Sequence, residues 1–339
     1  MVGEPIKQVE DGMRTIISEL RTDPYALETV YISIIVFAGR AIELTALEEL
    51  YKFYPPRFPI GGGTSLSAAM DALMDHFNTD LVKTSAEEKG DWKPIVFLFT
   101  DGTPTDDYSR ALKRWNDHYR RRANLVAISI GSNCSTSILK KFTENVLQLK
   151  QTSPEDFKRF FKWVTASIKV GSERVAENNG DNFELPPPPD HIIGPAASGN
   201  ESETANPDEN FAVMLSKCSK TKRPYLMKFA RRMGNPEDME NIVGNGFYHV
   251  GSYTIDEEQY RRLSDPGLRA RDISSGKLFG SPACPCCGND TGLVVCGNCG
   301  HTLCASSTEK QVVCPWCNAT LELSREGESG DFNINRTIG

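Results

Sequence analysis

Apolar residues follow two different spacings along the first 170 residues of the chain. Residues 5–20 carry an apolar side chain every three or four positions, which predicts an amphipathic helix with Pro5 in its first turn. Residues 30–37 are an almost unbroken run of β-branched and aromatic side chains, which predicts a strand buried on both faces. The same two patterns recur further along. They predict helices over residues 67–77, 108–122, 137–145 and 154–168, buried strands over 94–100 and 124–130, and a weaker strand over 146–149.

Strands that alternate with helices of this length predict an α/β fold class, with a doubly wound, mostly parallel sheet covered on both faces. The pattern stops near residue 170. Nine acidic residues and one arginine, a balance of −8, follow together with four consecutive prolines, and they predict an acidic linker. Short β-like runs then predict a small β-rich C-terminal region. The predicted domains are residues 1–170, the linker 171–209, the β-rich region 210–280, a two-zinc Cys/His module 281–325 and a tail 326–339.

Composition sets the class of protein and its compartment. The 339 residues are 39% hydrophobic and 24% charged, with a formal net charge of −7, which excludes a wholly disordered chain and argues against a globally basic nucleic-acid coat. The N-terminus shows no signal peptide, and the apolar runs are far shorter than the ~20 residues of a membrane span. We therefore expect a cytoplasmic protein without a membrane partner. In a reducing compartment, clustered cysteines more often bind metal than form disulfides.

Eight of the ten cysteines lie between Cys284 and Cys317. Seven of these cysteines and His301 form four pairs, each with two intervening residues. Such a pair directs two ligands at one metal, and eight ligands make two structural Zn²⁺ sites. A segment of about 40 residues is too small to fold on burial alone, so bound zinc would supply the missing stability. The predicted zinc ligands are Cys284, Cys287, Cys296, Cys299, His301, Cys304, Cys314 and Cys317.

The sequence leaves the identity and connectivity of some zinc ligands open. Cys286 competes with Cys287, and His301 is either a ligand or a spectator. A cross-braced arrangement is favoured over a sequential ribbon. In the cross-brace, the Cys284/Cys287 pair shares one metal with His301/Cys304, and the Cys296/Cys299 pair shares the other with Cys314/Cys317. A disulfide cluster or reactive thiols are the alternative to zinc. Cys134 and Cys218 stand alone and are predicted to be semi-buried residues without a metal role.

Two loops of the first domain carry oxygen ligands. Thr64 follows three glycines and precedes a predicted helix, and Asp101 ends a predicted buried strand. In a doubly wound sheet, ligands bind outside the carboxyl ends of the strands, and a hydroxyl with a carboxylate suits Mg²⁺ or Mn²⁺. Each loop alone is a weak signal because glycine-rich turns and Asp-Gly turns are common.

Together these loops carry a resemblance. GGGTSL followed by TDGTPTDD resembles a von Willebrand factor type A domain. DPYALETVYISIIVF, GDWKPIVFLFTDGTPTDD and FFKWVTASI resemble, more narrowly, the tellurium-resistance TerY family, whose members often carry a C-terminal zinc-binding TerY-C domain. The resemblance implies a metal-ion-dependent adhesion site in which Thr64 and Asp101 match two of five expected side chains. The Asp-x-Ser-x-Ser loop that follows the first, central strand of such a domain has no match.

The sequence therefore predicts an N-terminally truncated domain that lacks its first central strand, with an incomplete adhesion-type site and weak Mg²⁺ affinity. A misassigned start codon, a trimmed chain and a protein that lacks the site are three open explanations. The family resemblance implies a cytoplasmic bacterial protein of the tellurite or toxic-metal stress response. It also implies protein partners, with a protein kinase and a PP2C-type phosphatase as candidates. A non-enzymatic interaction scaffold is therefore the leading functional hypothesis.

Two other functions compete with a scaffold. Residues 217–232 hold seven basic residues, no acid, and the interleaved aromatic residues Tyr225 and Phe229, which is a pattern of nucleic-acid binding. A solvated basic face beside a structural zinc module explains the same run and is preferred. The third hypothesis, an enzyme, has little support because the sequence lacks a zinc-protease helix motif, a nucleophile elbow and a dinucleotide fingerprint.

Overall fold

The computed structural model describes residues 2–82, 90–131, 136–149, 153–176, 186–187, 193–195, 211–231, 246–265, 272–323 and 333–336. These residues fall into two compact units. The first comprises Met1–Phe58 and Thr64–Ala205, and the second comprises Pro59–Gly63 and Asn206–Gly339. No helix within the described residues is both long and apolar enough to cross a membrane.

The first unit alternates helices and strands, as its apolar spacing predicts. Its elements are α1 (Glu4–Leu20), α2 (Pro24–Thr29), β1 (Tyr31–Phe37), β2 (Ala41–Glu49), α3 (Leu66–Thr79), β3 (Ile95–Thr100), α4 (Ser109–His118), β4 (Asn124–Ile130), α5 (Thr136–Phe142), β5 (Val146–Leu149), α6 (Pro154–Ala176) and β6 (Ile193–Pro195). The sequence analysis did not identify α2 or β2. Helix α2 begins at an N-cap, because the Asp23 carboxylate accepts the N–H groups of Tyr25 and Ala26.

The main sheet of this unit has the order β3-β4-β5-β6, with β3, β4 and β5 parallel and β6 antiparallel. Alternate side chains of β4 enter two cores. Val126 and Ile128 pack with α1 and α6, whereas Leu125 and Ala127 pack with α3, α4 and α5. Helices thus cover both faces of the sheet, and the predicted α/β class is confirmed, as is the small β-rich region with cysteine clusters at the C-terminus.

Strands β1 and β3 differ from the prediction that they are buried on both faces. Only Ile34 of β1 is buried, and four of the six residues of β3 are half-buried. Among the described residues, β1 pairs only with β2, and β3 pairs only with β4. Within the described part of the chain, one side of each strand thus has no neighbouring strand, and the apolar side chains of β1 and β3 are covered less completely than those of β4, which is buried from Leu125 to Ile130.

Two segments near the end of the first unit extend the predicted boundaries. Helix α6 continues to Ala176, beyond the predicted domain end at residue 170. Strand β6 pairs with β5 through Leu147 and Pro195, so part of the predicted linker belongs to the sheet. The Trp163 indole N–H also donates to the Pro186 carbonyl at 3.0 Å, which fixes the start of the proline run against α6.

The second unit is built on strands and short turns. Its elements are β7 (Phe211–Lys217), β8 (Pro224–Arg231), β9 (Phe247–Thr254), α7 (Glu257–Leu263), β10 (Ile273–Ser274), β11 (Leu278–Phe279), β12 (Thr291–Val295), β13 (Thr302–Ala305), β14 (Gln311–Val313), β15 (Thr320–Glu322) and β16 (Asn333–Ile334). Six of these strands form one sheet in the order β11-β9-β8-β7-β13-β12.

This sheet crosses two of the predicted domain boundaries. Strand β13, within the predicted zinc module, pairs in parallel with β7 of the predicted β-rich region, with Thr302 opposite Ser216. Strand β16 lies in the predicted tail, yet it pairs with β10 and buries Ile334 completely. Cys284 and Cys304 therefore share a hydrophobic core with the preceding strands, whereas Cys296 and Cys314 belong to a second cluster.

Candidate metal centres

Three Cys-x-x-Cys pairs of the second unit begin tight turns of the same kind. In each turn the N–H of the residue four positions after the first cysteine donates to the carbonyl of that cysteine, at 2.8–3.0 Å. The donor residue has a positive φ of 61–75°. Glycine adopts that conformation without strain, and asparagine tolerates it better than most residues. The three donor residues are Gly288, Gly300 and Asn318.

A fourth turn of this kind surrounds Cys218, at the hairpin between β7 and β8. The Lys222 N–H donates to the Cys218 carbonyl at 2.9 Å, and the Cys218 N–H donates to the Arg223 carbonyl at 2.9 Å. Lys222 has a φ of 60°, in the left-handed region. Thr221 occupies the place of the second cysteine, and its N–H donates to the Cys218 sulfur at 3.3 Å.

The first four-sulfur group joins this hairpin to the cysteine segment. Its members are Cys218, Cys284, Cys287 and Cys304, and their Sγ atoms lie within 4.8 Å of one another. Cys287 and Cys304 are 3.8 Å apart between sulfurs. Cys218, Cys284 and Cys304 are buried, so this group lies in the core of the unit.

The second four-sulfur group consists of Cys296, Cys299, Cys314 and Cys317, again with all Sγ atoms within 4.8 Å of one another. The Cys296–Cys317 and Cys299–Cys314 sulfur distances are both 3.7 Å. The Trp316 N–H donates to the Cys314 sulfur at 3.4 Å, and its indole N–H donates to the Thr302 carbonyl at 2.9 Å. The second and fourth cysteine pairs therefore meet, as in a cross-braced arrangement.

These groups fit a tetrahedral metal and do not fit disulfides. A disulfide needs sulfurs about 2.0 Å apart. Four thiolates around Zn²⁺, with Zn–S bonds of about 2.3 Å, lie about 3.8 Å apart, which matches the observed spacing of 3.7–3.8 Å. Thiolates are soft ligands that select zinc over magnesium or calcium. Four protein ligands fill a tetrahedron and leave no open position for catalysis.

The structure changes two of the cysteine and histidine assignments, those of His301 and Cys218, and it places Cys287 rather than Cys286 in the first group. His301 lies in neither group; its ring stacks on Trp316 with 4.7 Å between ring centroids. Its place in the first group is taken by Cys218, which the sequence analysis treated as a residue without a metal role. Cys286 also lies outside both groups, with its sulfur 3.9 Å from the Arg223 carbonyl. Cys134 lies outside the described residues.

The loops of the first unit that carry Thr64 and Asp101 are adjacent. The Thr105 N–H donates to the Thr64 carbonyl at 2.9 Å, and the Thr64 N–H donates to the Thr105 hydroxyl at 3.0 Å. A Cβ atom placed on Gly102 would lie 3.1 Å from the Thr64 hydroxyl oxygen, so glycine allows the two loops to approach. The structure thus brings the Asp101 loop beside Thr64.

Asp106 holds these loops against the start of α3. One carboxylate oxygen accepts the Ser65 hydroxyl at 2.6 Å and the Ser67 N–H at 3.0 Å, and the other accepts the Leu66 N–H at 3.0 Å. Ser65 is the N-cap of α3 and accepts the Ala68 N–H at 3.1 Å. Asp106 was not among the residues predicted for this site. Its location identifies it as a residue that positions the helix end.

The segment that holds both four-cysteine groups matches a known domain family. Residues 208–339 match the family model of the TerY-C metal binding domain. The resemblance drawn from the sequence is thereby confirmed at the C-terminus. A comparison with curated protein sequences gave no match.

Solved structures similar to this chain include mussel proximal thread matrix protein 1 with a zinc-occupied MIDAS motif, a von Willebrand factor type A protein from Catenulispora acidiphila, and the ArnB paralog VWA2 from Sulfolobus acidocaldarius. The first is 15% identical, covers 49% of this chain and 43% of that chain, and has a TM-score of 0.35. The second is 14% identical over 48% of this chain and 38% of that chain, with a TM-score of 0.33. The third is 13% identical over 77% and 64%, with a TM-score of 0.32. In each case this chain covers less than two thirds of the solved chain.

The thiols of the two four-cysteine groups differ in pKa. Burial raises the pKa of the Cys218 thiol, but hydrogen bonds from Thr221 outweigh it and lower that pKa to about 6. A hydrogen bond from the Asn298 side chain lowers the pKa of Cys317 to about 6. Burial raises the pKa of Cys299 to about 12 and that of Cys284 further still. Each group therefore contains one thiol that ionises readily beside thiols that do not.

The basic run of the TerY-C region does not present the predicted aromatic platform. Tyr225 and Phe229 are both fully buried, so neither ring is available to stack on a base. Two of the basic side chains are paired with acids: the Lys217 ammonium lies 2.9 Å from a Glu257 carboxylate oxygen, and Lys220 lies 3.8 Å from Glu309. The run is thus a partly neutralised face of the β7–β8 hairpin.

Proposed function

We propose that this protein is a non-enzymatic interaction scaffold whose TerY-C region is held together by two structural zinc ions. The observation that carries the proposal is the pair of closed four-cysteine groups within the segment that matches the TerY-C metal binding domain. Sites with four protein ligands serve folding rather than catalysis, because a catalytic zinc keeps a position for water or substrate. Zinc is favoured by the all-sulfur ligand set and by the sulfur spacing.

The zinc ions would hold the second unit in its binding-competent shape. The first four-cysteine group ties the β7–β8 hairpin to the cysteine segment, and the second ties Cys296 and Cys299 to Cys314 and Cys317. A structural zinc site contributes about 10–16 kcal/mol of apparent binding energy in small finger peptides. Removal of zinc would therefore disorder the surface that partners contact.

The resemblance to the TerY family supports a cytoplasmic role in bacterial resistance to tellurite or other toxic metals. On the same ground, the proposed partners are a protein kinase and a PP2C-type phosphatase. The first unit contributes an adhesion-type site in which Thr64 and Asp101 are candidate ligands for Mg²⁺ or Mn²⁺. With two of five expected side chains, this site would bind Mg²⁺ weakly.

Metal analysis and binding measurements test the scaffold together. The purified chain should contain about two zinc ions per molecule by inductively coupled plasma mass spectrometry. Zinc-loaded chain immobilised on a sensor should bind a purified TerY-associated kinase or phosphatase, and chelator-treated chain should not. The matched variant Cys286→Ser, which alters a cysteine outside both groups, should behave as wild type.

Three outcomes would overturn the proposal. Metal-replete protein with close to no zinc would remove its structural basis. Equal binding of partners by the zinc-loaded and chelated chain would remove the role of zinc in interaction. Turnover of a phosphate ester or a nucleotide by the zinc-loaded protein, lost on Asp101→Ala, would indicate an enzyme instead.

A further inference from the structure

Three potential metal ligands meet in the first unit, away from the Thr64 and Asp101 loops and independent of the cysteine groups. Glu43 lies on β2, and His76 and Asp80 lie at the end of α3. The His76 Nδ1 atom is 2.7 Å from Asp80 Oδ2 and 3.5 Å from Glu43 Oε1. The ligand atoms of all three residues lie within 4.8 Å of one another.

Local structure explains why these side chains converge. His76 and Asp80 are four residues apart at the end of a helix, so they share one face. The Thr79 hydroxyl donates to Asp80 Oδ1 at 2.6 Å, which leaves Oδ2 directed at the His76 ring. The exposed fractions of the three side chains are 25% for His76, 27% for Asp80 and 32% for Glu43, so each is only partly in contact with solvent.

Within the part of the chain that the structure describes, no lysine or arginine balances the charge of this trio. Among the described residues, neither Glu43 nor Asp80 forms an ion pair with lysine or arginine; both face the same imidazole nitrogen. A hydrogen bond from that nitrogen reaches Asp80, whereas the Glu43 oxygen, at 3.5 Å, lies beyond ordinary hydrogen-bond distance. The carbonyl end of α3 adds further negative potential, which favours a cation.

We propose that Glu43, His76 and Asp80 form a binding site for a divalent transition-metal ion of the Zn²⁺ class. One imidazole nitrogen and two carboxylate oxygens are accepted zinc ligands. The nitrogen ligand favours Zn²⁺ over Mg²⁺ and Ca²⁺, which prefer oxygen alone. Thr79 would orient the Asp80 carboxylate, as outer-shell partners do in metal sites. Because the ligands come from β2 and α3, the ion would join the β1–β2 ribbon to the helix.

Calorimetric titration of Zn²⁺ into full-length chain whose cysteine groups are already loaded tests this site. The wild type should show one further binding event. Glu43→Gln and His76→Gln should each weaken that event more than about tenfold, since even outer-shell changes cost about 10–100-fold. The matched control is Asp75→Asn, because Asp75 lies on the same helix and pairs with Arg114 at 2.6 Å, outside the trio. It removes a negative charge and should leave the event unchanged.

Cobalt absorption provides a second readout that distinguishes this site from the cysteine groups. Co²⁺ added to the zinc-loaded chain should give visible bands without thiolate-to-cobalt charge transfer, and these bands should disappear in His76→Gln. Absence of a further event in the wild type would overturn the proposal and leave a hydrogen-bonded cluster without a metal role. A further event that survives both Glu43→Gln and His76→Gln would also overturn it. Neither result depends on whether partners bind the TerY-C region.

Discussion

The sulfur atoms of Cys218 and Cys304 lie within 4.8 Å of each other, although one residue directly follows the β7 strand and the other lies in β13. The parallel pairing of β7 with β13 brings the two cysteines together. Like Cys304, Cys218 contributes to the first four-cysteine group without a Cys-x-x-Cys partner. Substitution of Cys218 therefore distinguishes a first site completed by Cys218 from one completed by His301.

We expect Cys218→Ser to lower the zinc content from about two ions to about one per chain, because a serine hydroxyl is a poor replacement for a thiolate ligand. The remaining ion should stay in the second group. Metal analysis after desalting measures the content, and Cys286→Ser is the control of equal chemistry. Two retained zinc ions in Cys218→Ser would contradict the assignment of Cys218.

His301→Ala should retain both zinc ions. The His301 ring stacks on Trp316 and its Nδ1 lies 3.1 Å from the Cys299 carbonyl, so the variant loses packing and no metal ligand. We expect a small decrease in thermal stability of the zinc-loaded chain, within about 1 kcal/mol. Cys299→Ser provides the contrast, since it should lose one ion. A single zinc ion in His301→Ala would restore histidine as a ligand.

Asp106→Ala should destabilise the first unit by at least about 2 kcal/mol, because three hydrogen-bond donors around the start of α3 lose a charged acceptor. Urea denaturation followed by circular dichroism measures the loss. Asp107→Ala is the neighbouring control: Ser109 is the one hydrogen-bond partner described for the exposed Asp107 carboxylate, so the loss should be smaller. Equal losses in the two variants would show that Asp106 does not hold the loops.

Gly12→Ala should destabilise the first unit even though alanine favours helices by about 1 kcal/mol over glycine. A Cβ atom on Gly12 would lie 2.0 Å from the ring of Phe161, so α1 and α6 would have to separate. Overpacking of this kind costs about 1–3 kcal/mol. Ser18→Ala, at an exposed position of the same helix, should be neutral or slightly stabilising. A gain in stability for Gly12→Ala would show that the helices adjust without cost.

Stability of the second unit should fall as the pH drops below about 6.5. Burial lowers the pKa of His249 beneath its ordinary value of 6.5, and its ring contacts the edge of Phe229. The unfolded chain then takes up a proton before the folded one does. The contribution of His249 is complete above the unfolded pKa and is lost as the pH falls through the folded pKa.

Denaturation of zinc-loaded chain at about pH 7.5 and about pH 5.5 measures this dependence. His249→Gln should flatten it, with zinc content monitored in parallel so that metal loss is not mistaken for protonation. An unchanged pH dependence in His249→Gln would assign the effect to other groups.

Local patterns were sufficient where a segment's environment follows from its own residues. The strand over residues 124–130 was predicted with the bounds that β4 has, because an all-apolar run is stable only between two covered faces. The similar run over residues 30–37 was predicted to be equally buried and is not. Its burial depends on which strand lies beside it, and no pattern within the segment encodes that neighbour.

The metal ligands, too, were predicted where the signal lies within a short segment and missed where it does not. Seven of the eight cysteines in the two groups were predicted, because a pair at fixed spacing and a turn residue such as Gly288 or Gly300 are visible in the sequence. Cys218 was missed because its turn has Thr221 in place of a second cysteine. The signal that could have identified it is the Cys-x-x-Thr turn at a hairpin between two β-like runs.

The sequence by itself determined the order and type of most elements, the acidic linker composition and the presence of a sulfur-rich metal module, since all of these depend on residues close together in the chain. Only the tertiary structure decided that Cys218 and not His301 completes the first group, that the zinc segment shares a sheet with β7, and that Glu43 meets His76 and Asp80. A ligand set and a sheet are assembled from residues far apart in the chain, and their proximity is set by packing rather than by local sequence.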